Sequence, residues 1–160
     1  MANHSEVNLA DYQALAEFRY QIRRFVRFSE DAAREAGIEP QHHQLMLAIK
    51  GKPDREGPRI TYLAERLQIQ HHSAVELVDR LVKKGLITRT RGDDDRREVH
   101  VQLTRHGERI LSELTVHTRA ELRSSAPTLV TALRNLMAPA KNRNAVRRRP
   151  GRQQPEGASR

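Results

Sequence analysis

His72, Ser73, Glu76, Arg80 and Lys83 fall one, three or four residues apart, the spacing that gathers side chains on one face of an α-helix. Ala74, Leu77, Val78 and Leu81 share the opposite face, so the pattern over 70–84 predicts a helix held down on one side and chemically varied on the other. The polar side, with His71 at its start, has the donors and acceptors that read base-pair edges in a DNA major groove. Glutamate accepts from cytosine N4, histidine donates to guanine, and serine, lysine or arginine takes phosphate oxygens. A solvated helix face would carry the same residues, and any one of them alone reads that way. Glu76 is the most ambiguous, because a carboxylate beside phosphates repels unless it meets a donor on a base.

The chain after Lys84-Gly85 supplies a second piece of chemistry. Strand-forming runs at 86–90 and 97–104 flank the loop Arg91-Gly92-Asp93-Asp94-Asp95-Arg96-Arg97, which places Arg91, Arg96 and Arg97 at a hairpin tip. Asp95, two residues before Arg97, can hold that guanidinium extended and aimed into a narrow minor groove, where the negative potential is deepest. Along the second strand Val99, Val101 and Leu103 alternate with Glu98, His100 and Gln102, which predicts an apolar face on the core and a polar face in solvent. Three aspartates could suggest a divalent cation, but the alternating ligand spacing and turn glycine of a calcium loop are missing. The adjacent pairs His42-His43 and His71-His72 would point about 100° apart on a helix, unlike the i, i+4 spacing of helical zinc ligands. No metal or other cofactor is expected. No nucleophile, base and orienting residue assemble into a catalytic set, so the chain does not read as an enzyme.

The elements that hold these residues follow from periodicity and punctuation. Leu15, Phe18, Ile22, Phe25, Val26, Ala33 and Ala36 form a stripe over 9–36 that stops at Gly37. A helix of that length runs roughly 40 Å, longer than a small lobe needs, and the surplus is expected to dock on a second copy. Another helix starts at Pro40 and ends at Lys50-Gly51. After a loop without apolar residues at 52–58, Ile60 is expected to add a single strand residue and Thr61 to cap a short helix over 62–67. The tight turn Gln68-Ile69-Gln70 then leads into the helix at 70–84, which makes the pair a helix-turn-helix, and the hairpin makes it winged. Thr104 caps a helix carrying Ile110, Leu111, Leu114, Thr118 and Leu122. Pro127 predicts a break, followed by a last helix with Leu129, Val130, Leu133, Leu136 and Met137. The fold class expected is mainly α: a winged helix-turn-helix with long N- and C-terminal dimerisation helices and a β-wing of two to three strands. A flexible N-terminus at 1–8 precedes a single domain at 9–137, in which dimerisation helices at 9–36 and 105–137 enclose a DNA-binding lobe at 39–104. A basic tail at 138–160 reads as disordered.

In 160 residues, 29 Lys and Arg face 20 Asp and Glu, a formal +9 that favours polyanionic partners. Residues 138–160 hold seven of the basic residues and one acidic residue, so +6 sits there and +3 in the rest of the chain. The tail is therefore the main seat of the excess. A hydrophobic content of 37% suits one core. The absence of cysteine excludes disulfides, thiolate metal ligation and thiol redox sensing. The N-terminus lacks the basic and apolar regions of a signal peptide, and no window approaches the roughly 18 apolar residues that span a bilayer. A cytoplasmic protein is expected, nucleoid-associated when bound to DNA, with no membrane partner.

The runs Leu63-Ala64-Glu65-Arg66-Leu67, Val78-Asp79-Arg80-Leu81-Val82-Lys83-Lys84-Gly85-Leu86-Ile87, Asp95-Arg96-Arg97 and Val101-Gln102-Leu103-Thr104-Arg105-His106-Gly107 resemble the MarR family of bacterial transcriptional regulators. The order and spacing match, and the resemblance covers about residues 9–137. It implies a homodimer with interlocked first and last helices and major-groove contacts from His71, His72, Ser73, Glu76 and Arg80. It further implies a minor-groove contact from Arg97 supported by Asp95, and Lys83, Arg91 and Arg96 complete the expected double-stranded DNA interface. The chain departs from the commoner pattern in the histidines that open its recognition helix, in a longer loop at 52–58 and in the extra basic tail. Many members answer aromatic ligands bound between the dimer helices and the lobe. Here Arg19, Arg23 and Arg27, at i, i+4 and i+8 beside Tyr20, with His42 and His43, form the candidate pocket for an anionic or aromatic small-molecule effector. Long cations along a helix interface also snorkel or pair with a partner's glutamate. The expected function is a sequence-specific dimeric transcriptional regulator, a repressor released by its effector. The alternative is a nonspecific architectural DNA-binding protein that uses its tail and wings.

Overall fold

The computed structural model describes residues 7–52, 57–91 and 99–137. Its elements are α1 (Leu9–Glu35), α2 (Pro40–Lys50), α3 (Ile60–Leu67), α4 (His71–Lys83), β1 (Ile87–Arg91), β2 (Val99–Leu103) and α5 (Arg105–Met137). Residues 24–124 form one compact unit, and the start of α1 and the end of α5 belong to another.

The larger unit closes on a core of Ile38, Leu45, Met46, Ile49, Leu63, Leu77, Val78, Leu81, Leu86, Ile87, Val101 and Leu111. α4 enters it through Ala74, Leu77, Val78 and Leu81, the apolar stripe that its 3.6-residue period sets apart. Between α3 and α4 the chain turns through Gln68, which adopts a left-handed conformation at φ 54°. Its Nε2 donates to the Glu65 carbonyl at 2.8 Å, which satisfies one of the acceptors that the helix end leaves open. β1 and β2 pair antiparallel from Ile87↔Leu103 to Arg91↔Val99.

Four local expectations are corrected. The short helix begins at Ile60 with Arg59 as its N-cap residue, so Thr61 lies inside the helix and does not cap it. The single strand contact falls on Arg59, which bridges His100. The physical reason is the preceding dipeptide: Pro58 accepts from the Val101 N–H at 3.0 Å, and a side chain at Gly57, φ +86°, would run into the Val101 carbonyl. With 57–59 laid along β2, Ile60 is free to turn inward. That same segment overturns the alternation expected of β2. His100 is buried, with its Nδ1 2.9 Å from the Gly57 carbonyl, while Val99 at the strand's start is 37% exposed.

The fourth correction concerns Pro127, which lies inside a continuous α5 and does not end it. Proline costs this helix one N–H, the donor that would meet the Arg123 carbonyl. Pro127 itself is exposed, and Leu129, Ala132 and Leu136 carry the inward stripe past it. Thr131 Oγ1 donates to the Pro127 carbonyl at 2.8 Å one turn later.

The start of α5 is fixed more tightly. Thr104 Oγ1 accepts from the Gly107 N–H at 3.0 Å and donates to the Gly85 carbonyl at 2.7 Å. The Thr104 N–H donates to the Leu86 carbonyl at 3.0 Å. A Cβ at Gly107 would collide with that same carbonyl. The Leu-Thr-x-x-Gly run is thus a backbone-to-backbone junction between the α4–β1 turn and the first turn of α5.

α2 carries two interior imidazoles. His42 and His43 are 0% and 1% exposed, and both nitrogens of His42 and Nε2 of His43 have no hydrogen-bond partner. Burial holds both rings below the ordinary histidine range. For His42 the Glu39 carboxylate, 3.8 Å from Nε2, opposes this, and Lys84 and Arg80 reinforce it.

Gly107→Ala should destabilise the protein by about 1–3 kcal/mol, the usual range for overpacking against atoms that cannot move away. Chemical denaturation reads this, and an unchanged midpoint would contradict the junction. The histidines give a pH dependence whose sign follows from their lowered values. The unfolded chain titrates near 6.5, and the folded state keeps both rings neutral to lower pH. Stability is therefore full above 6.5 and declines as pH falls below it. Melting temperatures between about pH 7.5 and 5.5 should show this decline, and His42→Leu/His43→Leu should flatten it; equal slopes would count against the two rings as its source.

Candidate nucleic-acid interface

α4 is seated by its apolar stripe, and that seating turns His71, His72, Glu76, Arg80 and Lys83 into solvent, with Ser73 half-buried between them. The arc is continuous along more than three turns. Glu76 accepts from Arg80, with Nη2 to Oε2 at 3.4 Å, so the carboxylate that looked out of place beside phosphates already has a cationic partner. Arg91 is exposed at the end of β1, next to the hairpin tip. Asp95, Arg96 and Arg97 lie outside the described residues. α4 packs on both α3 and β1, so its exposed arc and the root of the hairpin belong to one unit.

Two charged groups of this surface were not singled out from the sequence. Asp79 on α4 and Arg89 on β1 form an ion pair at 2.6 Å, with side chains 45% and 37% exposed. The helical period does place Asp79 about 60° from Glu76, inside the polar arc, but only the packing of β1 beside α4 supplies its partner. Beside α3, Lys52 Nζ from the segment after α2 and the Arg66 guanidinium of α3 lie 5.4 Å and 6.0 Å from the Tyr62 ring centroid. This adds positive charge to the helix that precedes α4.

The candidate effector residues divide between the two units. Arg19, Tyr20 and Arg23 are exposed on the part of α1 in the smaller unit, whereas His42 and His43 are interior to the larger one. The larger unit has instead a groove of about 530 Å³ between α1, α2 and α3. Val26, Leu47, Leu67 and Ile69 give it apolar walls, and Gln44 and Arg66 bring polar groups to it. Among the described residues no helix is long and apolar enough to cross a membrane.

A family model described as MarR family matches residues 36–98, the span from the end of α1 to the hairpin tip. No curated protein matches. Among solved structures, the chain resembles AbsC, a MarR family transcriptional regulator from Streptomyces coelicolor, with a TM-score of 0.64 and 16% identity over 75% of this chain and 80% of that one. It resembles CouR from Rhodococcus jostii RHA1, solved with p-coumaroyl-CoA, with a TM-score of 0.59 and 21% identity over 71% and 81%. A mutant of MepR from S. aureus, solved with an oligodeoxyribonucleotide, gives a TM-score of 0.56 and 17% identity over 88% and 91%. At these identities the likeness is one of fold, and the family match supplies the sequence link. The mainly helical winged-helix fold and the family match over the α2–α4 lobe together make this chain similar to MarR family transcriptional regulators.

Proposed function

We propose that a homodimer of this chain binds duplex DNA sequence-specifically and represses transcription from a promoter it occupies. The observation that carries this reading is the division of α4 into an anchored apolar stripe and an unbroken exposed arc of His71, His72, Glu76, Arg80 and Lys83. Those side chains include groups that discriminate base edges, which a surface built only for phosphate would not need. The proposed contacts in the major groove are these five with Ser73, and the hairpin contributes Arg91, Arg96 and, in the minor groove, Arg97 aimed by Asp95. MepR, solved with an oligodeoxyribonucleotide, supports the use of this fold on DNA.

The dimer reading rests on the smaller unit, where Leu9, Tyr12, Leu15, Val130 and Met137 are all at least 43% exposed. Large apolar side chains clustered on the ends of two helices are costly in water and are covered by a second copy with the same faces. A dimer places two copies of α4 on one face of the duplex, about 34 Å apart for half-sites one turn apart.

Release by a small molecule is supported by CouR, which holds an acyl-CoA thioester. In this chain the groove beside Arg66 is within the size of small-ligand sites. It borders the α3–α4 turn, so an occupant that favours one setting of that turn would shift the placement of α4. Arg19, Tyr20 and Arg23, on the smaller unit, remain separate candidates for holding an anionic effector.

The +6 carried by residues 138–160 favours the second reading, a nonspecific DNA binder. The two separate in a gel-shift titration against the DNA upstream of the chain's own gene and against random duplex. Sequence-specific binding predicts a lower Kd on one upstream fragment, and Arg97→Ala should weaken that binding by about 1–3 kcal/mol while changing random binding less. Equal affinities on both duplexes, with a salt slope that flattens once 138–160 is removed, would establish the second reading instead.

A further inference from the structure

We infer that Asp79 is a specificity-determining residue: it holds Arg89 at the root of the hairpin away from DNA phosphates and so limits sequence-independent contacts. This rests on the reading that α4 enters a DNA groove. Asp79 occupies the polar arc of α4, near the presented faces of His72 and Lys83, at a position where a carboxylate alone would repel the backbone it approaches. Instead its Oδ1 lies 2.6 Å from Arg89 Nη2. Arg89 stands two residues before Arg91 on β1, so both side chains leave the same face of the ribbon. Arg91 is a proposed DNA contact, and Arg89 would reach the same backbone were it not engaged.

The pair repeats a pattern set by Glu76 and Arg80 one helical turn earlier. Two carboxylates on the reading helix each hold one guanidinium. Phosphate contacts add the same free energy to every duplex, whereas base contacts add it to one. Arg89, kept from the backbone, therefore lowers random binding while the side chains proposed to read bases stay as they are. An exposed ion pair contributes only about 0–1 kcal/mol to stability, so folding alone gives little reason for a carboxylate at this place. Its charge beside a polyanion has the larger consequence.

The salt dependence of binding to random duplex counts the phosphate contacts, at about 0.9 in log–log slope for each. Arg89→Gln should leave the wild-type slope unchanged, because Arg89 makes no such contact while Asp79 holds it. Asp79→Asn should steepen the slope by about 0.9 and reduce the ratio of specific to random affinity, and Asp79→Asn/Arg89→Gln should return the slope to the wild-type value. A slope that flattens by about 0.9 in Arg89→Gln would overturn the inference, since Arg89 would already lie on a phosphate. An Asp79→Asn slope equal to wild type would overturn it too. Should Asp79→Asn not fold, as circular dichroism would show, the Arg89→Gln slope decides the matter alone. Wild-type protein that binds no duplex at any salt is a separate outcome, which sinks the DNA reading and this inference with it.

Discussion

The Leu86 carbonyl is the point on which the lobe depends. It accepts from the backbone of Thr104, and the helix that starts there approaches it so closely that only glycine fits at 107. Thr104 closes the arrangement by capping that helix and reaching back to Gly85. Neutral hydrogen bonds of this kind contribute about 1 kcal/mol each, less than truncating one buried leucine such as Leu81, at about 2–5 kcal/mol. Their importance is geometric. They set the end of α4, the start of β1 and the first turn of α5 in one register, so the reading face, the hairpin and the long C-terminal helix cannot be displaced independently at that point.

Much of this was legible in the sequence because it is local. Gly37 ends the stripe of α1, Pro40 opens α2, and the 3.6-residue period divides α4 into core and exposed faces without reference to any neighbour. Thr104 as a cap follows from the same short-range chemistry. What escaped depends on segments far apart along the chain. His100 reads as polar by alternation, and its burial needs Gly57, 43 residues away, to be laid against β2. Arg59 takes the strand contact expected of Ile60 for the same reason. Asp79 and Arg89 are ordinary charges until β1 packs beside α4. Pro127 reads as a break because the rule counts the lost donor; an exposed ring with inward residues on both sides lets the helix run through.

The histidine pairs show how the same residue type serves two ends. His71 and His72 open α4 in solvent, where each ring can donate or accept. His42 and His43 are enclosed in α2 with ring nitrogens that meet no partner, an arrangement that favours the neutral imidazole. The sequence offers no signal that separates the pairs, since each is two adjacent histidines on a helix. Burial, not spacing, separates them: His42 and His43 are interior, and His71 and His72 are exposed.

Charge is distributed so that the lobe is not a simple cationic patch. The chain outside 138–160 carries a formal +3, and on the reading surface Glu76 and Asp79 each hold an arginine. In the proposed binding mode such a surface would gain modestly from phosphates and draw its selectivity from groups that meet base edges. Hydroxyl-radical and methylation-interference footprinting on a bound upstream fragment tests this most directly. Two protected patches with guanine contacts in successive major grooves, about one helical turn apart, are the result the account predicts; uniform protection that follows no sequence would contradict it.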